Sequence, residues 1–225
     1  MGKIGGQVTT VFILAFFMFA AAAHGQLPER PFDDDNQTWN DLQLTVPMSK
    51  KVDFFEKLTL RIGKNFSRLQ DGRIAAGFVY KPVKALSISP FYWYIAARNS
   101  NGQFRVEHRL SLAASYRYEN KHFGLTHRST VEYRMRNVTT WRYRPALTFD
   151  KDIPEHIIPK AKFFVGDEIF YDSATGRFSR NRFSIGITKT VSKHLAVDIY
   201  YMRQNDGTAH PGDLNVVWTA WKFKL

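Results

Sequence analysis

The chain contains no cysteine. That excludes a disulfide framework, a thiolate metal site and a cysteine nucleophile. Long apolar runs are scarce as well, because charged residues interrupt every one of them after Ala23, so no later segment can cross a bilayer as a helix. Acids are the minority charge, 20 Asp and Glu against 32 Lys and Arg, for a formal charge of +12 and an isoelectric point near 9.9. A mean hydropathy of −0.33 excludes a helical membrane protein. The aromatic content (19 Phe, 10 Tyr, 5 Trp) excludes a disordered basic tail. With 225 residues there is ample chain for one folded domain.

The compartment is read at the N-terminus. Lys3 is the only charge before Glu29, and it precedes an unbroken apolar stretch from Val11 to Ala23. The stretch is shorter than the roughly 18 residues of a spanning helix and runs into Ala23-His24-Gly25, a small-residue cleavage pattern. Residues 1–25 therefore read as a secretory signal peptide, with the mature chain starting at Gln26. Residues 26–37 form an N-terminal segment and 38–225 the body of the protein.

That body has period two. In Arg105–Tyr118, Val106, Leu110, Leu112, Ala114, Tyr116 and Tyr118 share one parity, while Arg105, Glu107, Arg109, Ser111, Ala113, Ser115 and Arg117 share the other. Similar stretches recur from Thr38 to Leu225, separated by turn-like clusters such as Gln70-Asp71-Gly72, Asn99-Ser100-Asn101-Gly102 and Glu119-Asn120-Lys121. About eleven strands result, and the expectation is an all-β fold: an antiparallel up-and-down transmembrane β-barrel of about ten to twelve strands. In a soluble barrel the apolar parity would point inward; in a membrane barrel it meets lipid. Tyr92, Tyr94, Tyr116, Tyr118, Trp141 and Tyr143 on the apolar parity suit interfacial girdles. The final strand, with Val217, Thr219, Trp221, Phe223 and Leu225 on one face, is similar to the C-terminal strand by which outer-membrane proteins engage their assembly machinery. Apolar residues are thus assigned to the outer wall, with no packed core behind them. Pro90 and Pro145 fall inside strands and call for local breaks in the ladder.

Arg105-x-Glu107-x-Arg109, Glu132-x-Arg134, Asp167-Glu168-Ile169-Phe170, Asn181-Arg182 and Tyr200-Tyr201-Met202-Arg203-Gln204, taken in this order, resemble the bacterial family known as domain of unknown function 2490. The resemblance runs from about Trp39 to the C-terminus. It implies an exported outer-membrane β-barrel and supplies no reaction.

The polar parity collects a lumen charge network of Arg109, Arg128, Arg134, Arg142, Arg144 and Arg182 with Glu107, Glu132 and Glu168, together with Lys57, Arg61, Arg73, Arg117, Arg136, Lys162 and Asp198. On this reading cations outnumber acids inside. Either the network fills the interior structurally, or its surplus draws anions into a narrow pore. Asp33, Asp34 and Asp35 are the candidate plug. Function is accordingly expected to be non-enzymatic, a structural or small anion-favouring channel in the outer membrane of a Gram-negative bacterium.

Two alternatives stand beside it. One is a soluble periplasmic ligand-binding barrel. The other is a lipid-modifying enzyme, because His127-x-Ser129 is similar to the His-x-Ser of lipid A deacylases and strand spacing puts both side chains on the apolar face. The Asn that follows the Ser there is Thr130 here, and no acid partner is identifiable. No cofactor or metal is expected, since His122 and His127 have no Asp or Glu at ligand spacing. Outer-leaflet lipopolysaccharide phosphates are the expected anionic partner, with Arg98, Arg177 and Arg180 as loop contacts; nucleic acid is not expected. The protein is expected to be a monomer.

Overall fold

Alternating side chains of opposite character make a sheet with one wet and one dry face, and a sheet that closes on itself has no edge to protect. The computed structural model describes residues 34–99, 101–209 and 211–225. Residues 1–25, expected as a signal peptide, and Asp33 of the candidate plug lie outside the described residues.

Eleven strands follow one another: β1 (Asp34–Pro47), β2 (Val52–Gly63), β3 (Arg68–Val83), β4 (Leu86–Arg98), β5 (Phe104–Glu119), β6 (Gly124–Met135), β7 (Thr140–Asp152), β8 (Ala161–Asp172), β9 (Arg177–Thr190), β10 (Leu195–Asp206) and β11 (Asp213–Lys224). Each pairs with its sequence neighbour, and β1 pairs with β11 to close a barrel. No described helix is long and apolar enough to cross a membrane.

One pair departs from the antiparallel expectation. An odd number of up-and-down strands leaves the first and last pointing the same way, so β1 runs parallel to β11, from Asp34 opposite Asp213 to Thr45 opposite Lys224. The first rim carries the start of β1 and the links 64–67, 99–103, 136–139, 173–176 and 207–212. The second rim carries 48–51, 84–85, 120–123, 153–160, 191–194 and the end of β11. All are short, so among the described residues the lumen is filled by the wall's own side chains.

Two expectations about the N-terminal part need correction. Asp34 and Asp35 are strand residues and form no lumen plug: Asp34 pairs with Arg203 at the rim (3.1 Å). Asp35 accepts the backbone N–H of Lys64 (2.9 Å) and of Asn65 (2.8 Å). Those bonds explain the second correction. Gln70-Asp71-Gly72 lies inside β3, and the chain turns at Lys64–Ser67, where Lys64, Asn65 and Phe66 have φ of 52°, 52° and 64°. No glycine marks that left-handed turn; a carboxylate from another strand holds it.

The prolines sit where the ladder is interrupted. Partners jump from Gly77–Phe91 to Tyr80–Ile88 around Pro90, and from Tyr143–Tyr171 to Ala146–Glu168 around Pro145. The outer wall is aliphatic at mid-height, with Ile74, Leu110, Leu112, Val131 and Ile199 exposed. Toward the first rim stand Tyr94, Tyr133 and Trp141, the last stacked on Tyr171 (5.3 Å). Toward the second stand Tyr116, Tyr118, Trp221, Phe223 and the Phe123–Phe149 stack (5.5 Å). An aliphatic band between two aromatic girdles is the surface that lipid, not water, stabilises.

Candidate functional site

The inward parity carries the charge network, and strand pairing brings its members together. Glu107 holds two arginines: Arg109 donates to it at 2.9 and 2.6 Å, and Arg134 in a fork at 2.9 and 2.8 Å. Glu132 Oε1 accepts from Arg109 (3.1 Å) and Arg144 (2.5 Å). Glu168 accepts two bonds from Arg144 (2.8 and 3.0 Å) and one from Arg128 (3.1 Å), and Arg182 approaches it at 3.8 Å. Eight of the nine predicted network residues therefore join one connected system, and Arg142 joins it through Asp172, which also holds Arg134. Glu132 lies at its centre with no exposed surface, and its second oxygen is enclosed without a donor.

Sequence reasoning undercounted the acids. Asp172 takes Arg142 (2.6 Å) and Arg134 (3.1 Å); Asp41 takes Lys57 (2.6 Å); Asp71 takes Arg73 (2.6 Å); Asp150 takes Arg117 (2.7 Å). Asp53 pairs with Lys81, and Asp206 with Arg180. Asp198 pairs with Lys222 (2.5 Å). Around most of the lumen the cations thus meet acids almost one for one, and the surplus read from the sequence shrinks to a local feature. The signal was available as parity, since these aspartates alternate with the arginines. It was masked because most lie near strand ends, where aspartate also serves turns. Arg180, expected at a loop, is inside the barrel. Arg98 donates to the carbonyls of Leu69 (2.8 Å) and Gly102 (2.5 Å) and Arg177 is exposed, both at the first rim, while Arg136 lies just past β6.

The lumen also contains what the sequence reading excluded, a packed core. Trp39, Met202, Leu214 and Val216 form a buried cluster, with Tyr200 and Trp218 against it. Phe170 is buried beside the arginines of β7 and β9, whose guanidinium carbons lie 4.7 Å (Arg144), 4.8 Å (Arg182), 5.4 Å (Arg180) and 5.6 Å (Arg142) from its ring centre. Four cations on one ring let charge and apolar surface pack together where ion pairs alone would leave gaps. Trp39 and Phe170 escaped the reading because each sits on the charged parity, where an aromatic looks like an exception.

The two ends of the lumen differ. Toward the first rim most inward residues are buried; toward the second many are half-buried or exposed, and small hydroxyls (Ser87, Ser89, Ser115, Thr126, Thr148, Ser184, Thr188) stand among larger groups such as Phe55, Phe91, Trp93 and Phe164, with Asp53, Asp150 and Asp198 buried. Arg128 points inward with its side chain 48% exposed, as only a water-filled space allows. The lumen is thus the more exposed toward the second rim, a shallow cup above the charge–aromatic layer. Gly186 faces Tyr200 across the β9–β10 pair and leaves room for that ring to lie against the wall, stacked on Trp218 (5.1 Å).

On the outer wall, His127 Nε2 lies 3.0 Å from Ser129 Oγ, which lies 3.0 Å from the Tyr143 hydroxyl. Asp167 and Asn181 from the resemblance motifs also take the outward parity, where the Asn181 side-chain amide donates to Asp167 (2.7 Å). Among the described residues no group of three His, Asp or Glu could hold a metal ion.

Comparison with known proteins gives a family. No curated protein matches the chain. Among solved structures, the KdgM porin is similar at 10% identity and a TM-score of 0.47, covering 74% of this chain and 82% of its own. The anion-selective porin from Comamonas acidovorans is similar at 12% identity and a TM-score of 0.41, covering 78% of this chain and 53% of its own. The model of the family described as a protein of unknown function, DUF2490, matches residues 36–215. That match extends from β1 into β11, so the chain belongs to the DUF2490 family.

Proposed function

We propose that this protein is a monomeric outer-membrane β-barrel, exported behind a cleaved signal peptide, whose lumen is closed at rest by its own side chains. The carrying observation is Glu132: a carboxylate in mid-lumen with no exposed surface, held by Arg109 and Arg144. An open pore would leave such a group hydrated. Of the two non-enzymatic roles, structural barrel or small anion-favouring channel, this burial favours the structural one, with conduction requiring the floor to rearrange. Lipopolysaccharide phosphates at the rims and the assembly machinery at β11 complete the proposed partners. Heat-modifiable migration in an outer-membrane fraction tests the barrel, and planar-bilayer recording tests the closure. The expected result is a shifted folded band and no steady conductance steps; reproducible steps of one size would refute the closed lumen.

A second reading has one observation in its favour, the His127–Ser129–Tyr143 chain on the lipid face. It makes the protein a lipid-modifying esterase, with Ser129 as nucleophile and His127 as base. The measurement is the lipid A mass spectrum of cells expressing the wild type and Ser129→Ala. Identical spectra retire this reading.

A further inference from the structure

Among the described residues, two arginines in the floor are short of partners. Arg61 is 8% exposed, its Nε has no acceptor, and the nearest carboxylate, Asp71 at 3.6 Å, is already held in a fork by Arg73 (2.8 and 2.6 Å). Arg182 is equally buried and donates from Nε to Gln204 (2.8 Å). It reaches Glu168 only at 3.8 Å, because Arg144 and Arg128 occupy that carboxylate. Both guanidinium carbons lie over the same ring, 3.4 Å (Arg61) and 5.0 Å (Arg182) from the Trp39 centroid. Two buried like charges on one indole, each with unfilled donors, are costly unless a counter-charge joins them. Their planar forks match an oxyanion, which accepts two parallel bonds from each.

We propose that Arg61 and Arg182, flanking Trp39, form a binding site for a small oxyanion, a phosphate or a carboxylate. The surplus that the sequence spreads through the lumen is concentrated here, while Arg128 offers an exposed guanidinium where the cup meets the floor. The site needs the folded barrel and is independent of whether the lumen conducts.

The purified barrel in detergent micelles is titrated with phosphate, with acetate and with chloride at constant ionic strength, following tryptophan fluorescence. The expected result is a saturable change with phosphate, weakened about tenfold or more in Arg182→Gln and in Arg61→Gln. Heat-modifiable migration confirms that both variants are folded. A response to acetate as well assigns the site to oxyanions generally, and a response to phosphate alone assigns it to phosphate. An equal response to chloride, no saturable response in the wild type, or an unchanged response in both folded variants overturns the proposal. A second readout separates binding from structure: in anion-free buffer Arg182→Gln shifts the urea midpoint only slightly, because relief of the like-charge contact offsets the lost Gln204 bond and ring contacts. A lowered midpoint with phosphate binding intact makes Arg182 a structural partner of Glu168 and sinks the site.

Discussion

The two halves of the lumen are built from the same strands and the same parity, yet one is more tightly filled than the other. In the first-rim half, long side chains meet across the axis, and Trp39 and Phe170 fill what the arginines leave. In the second-rim half, serine, threonine and glycine take more of the inward positions, beside Phe55, Phe91, Trp93 and several lysines, and more of the wall is left half-buried or exposed. Side-chain length at inward positions, more than charge, decides whether a small barrel is filled. Charge then decides whether the filling is stable, since a buried arginine without an acid or a ring beside it would cost several kcal/mol.

Substitution can break this contrast, starting where the effect is largest. Glu132→Ala strands Arg109 and Arg144 and should lower stability by about 3–5 kcal/mol, read as the urea midpoint of the folded band. A change no larger than that of a cup variant would mean that the packed half is not packed. Leu112→Arg, on the outer wall, should cost about 2–4 kcal/mol in bilayers; in a wall facing water it would cost almost nothing. Arg117→Gln breaks a pair with Asp150 that is one-third exposed on the arginine side, and below about 1 kcal/mol is expected. Thr126→Ala and Thr148→Ala, in the cup, should stay within about 0.5 kcal/mol of wild type, as for solvated positions. A loss near that of Glu132→Ala would show the cup to be filled.

Most of the wall was legible in the sequence because parity is a local property: a strand's two faces can be sorted without knowing its partners. That is why β5, β6 and β7 and their inward arginines and glutamates were readable residue by residue. What needed a second strand was hidden. The turn at Lys64–Ser67 depends on Asp35, in another strand; the acids near strand ends looked like turn residues; and Trp39 becomes interior only when β1 lies beside β2 and β11. The under-bonded state of Arg61 and Arg182 was likewise invisible, since it depends on which carboxylates other arginines have already taken.

The parallel pairing of β1 with β11 has a consequence for sidedness. A wall of eleven strands takes the polypeptide in at one rim and lets it out at the other. Within a bilayer, Asp34 and Leu225 would open onto different aqueous compartments, and a tag or protease confined to one side would meet only one of them. The same seam joins the parts of the wall most distant in sequence, so its closure is the longest-range pairing of the fold and carries the largest loop-closure cost.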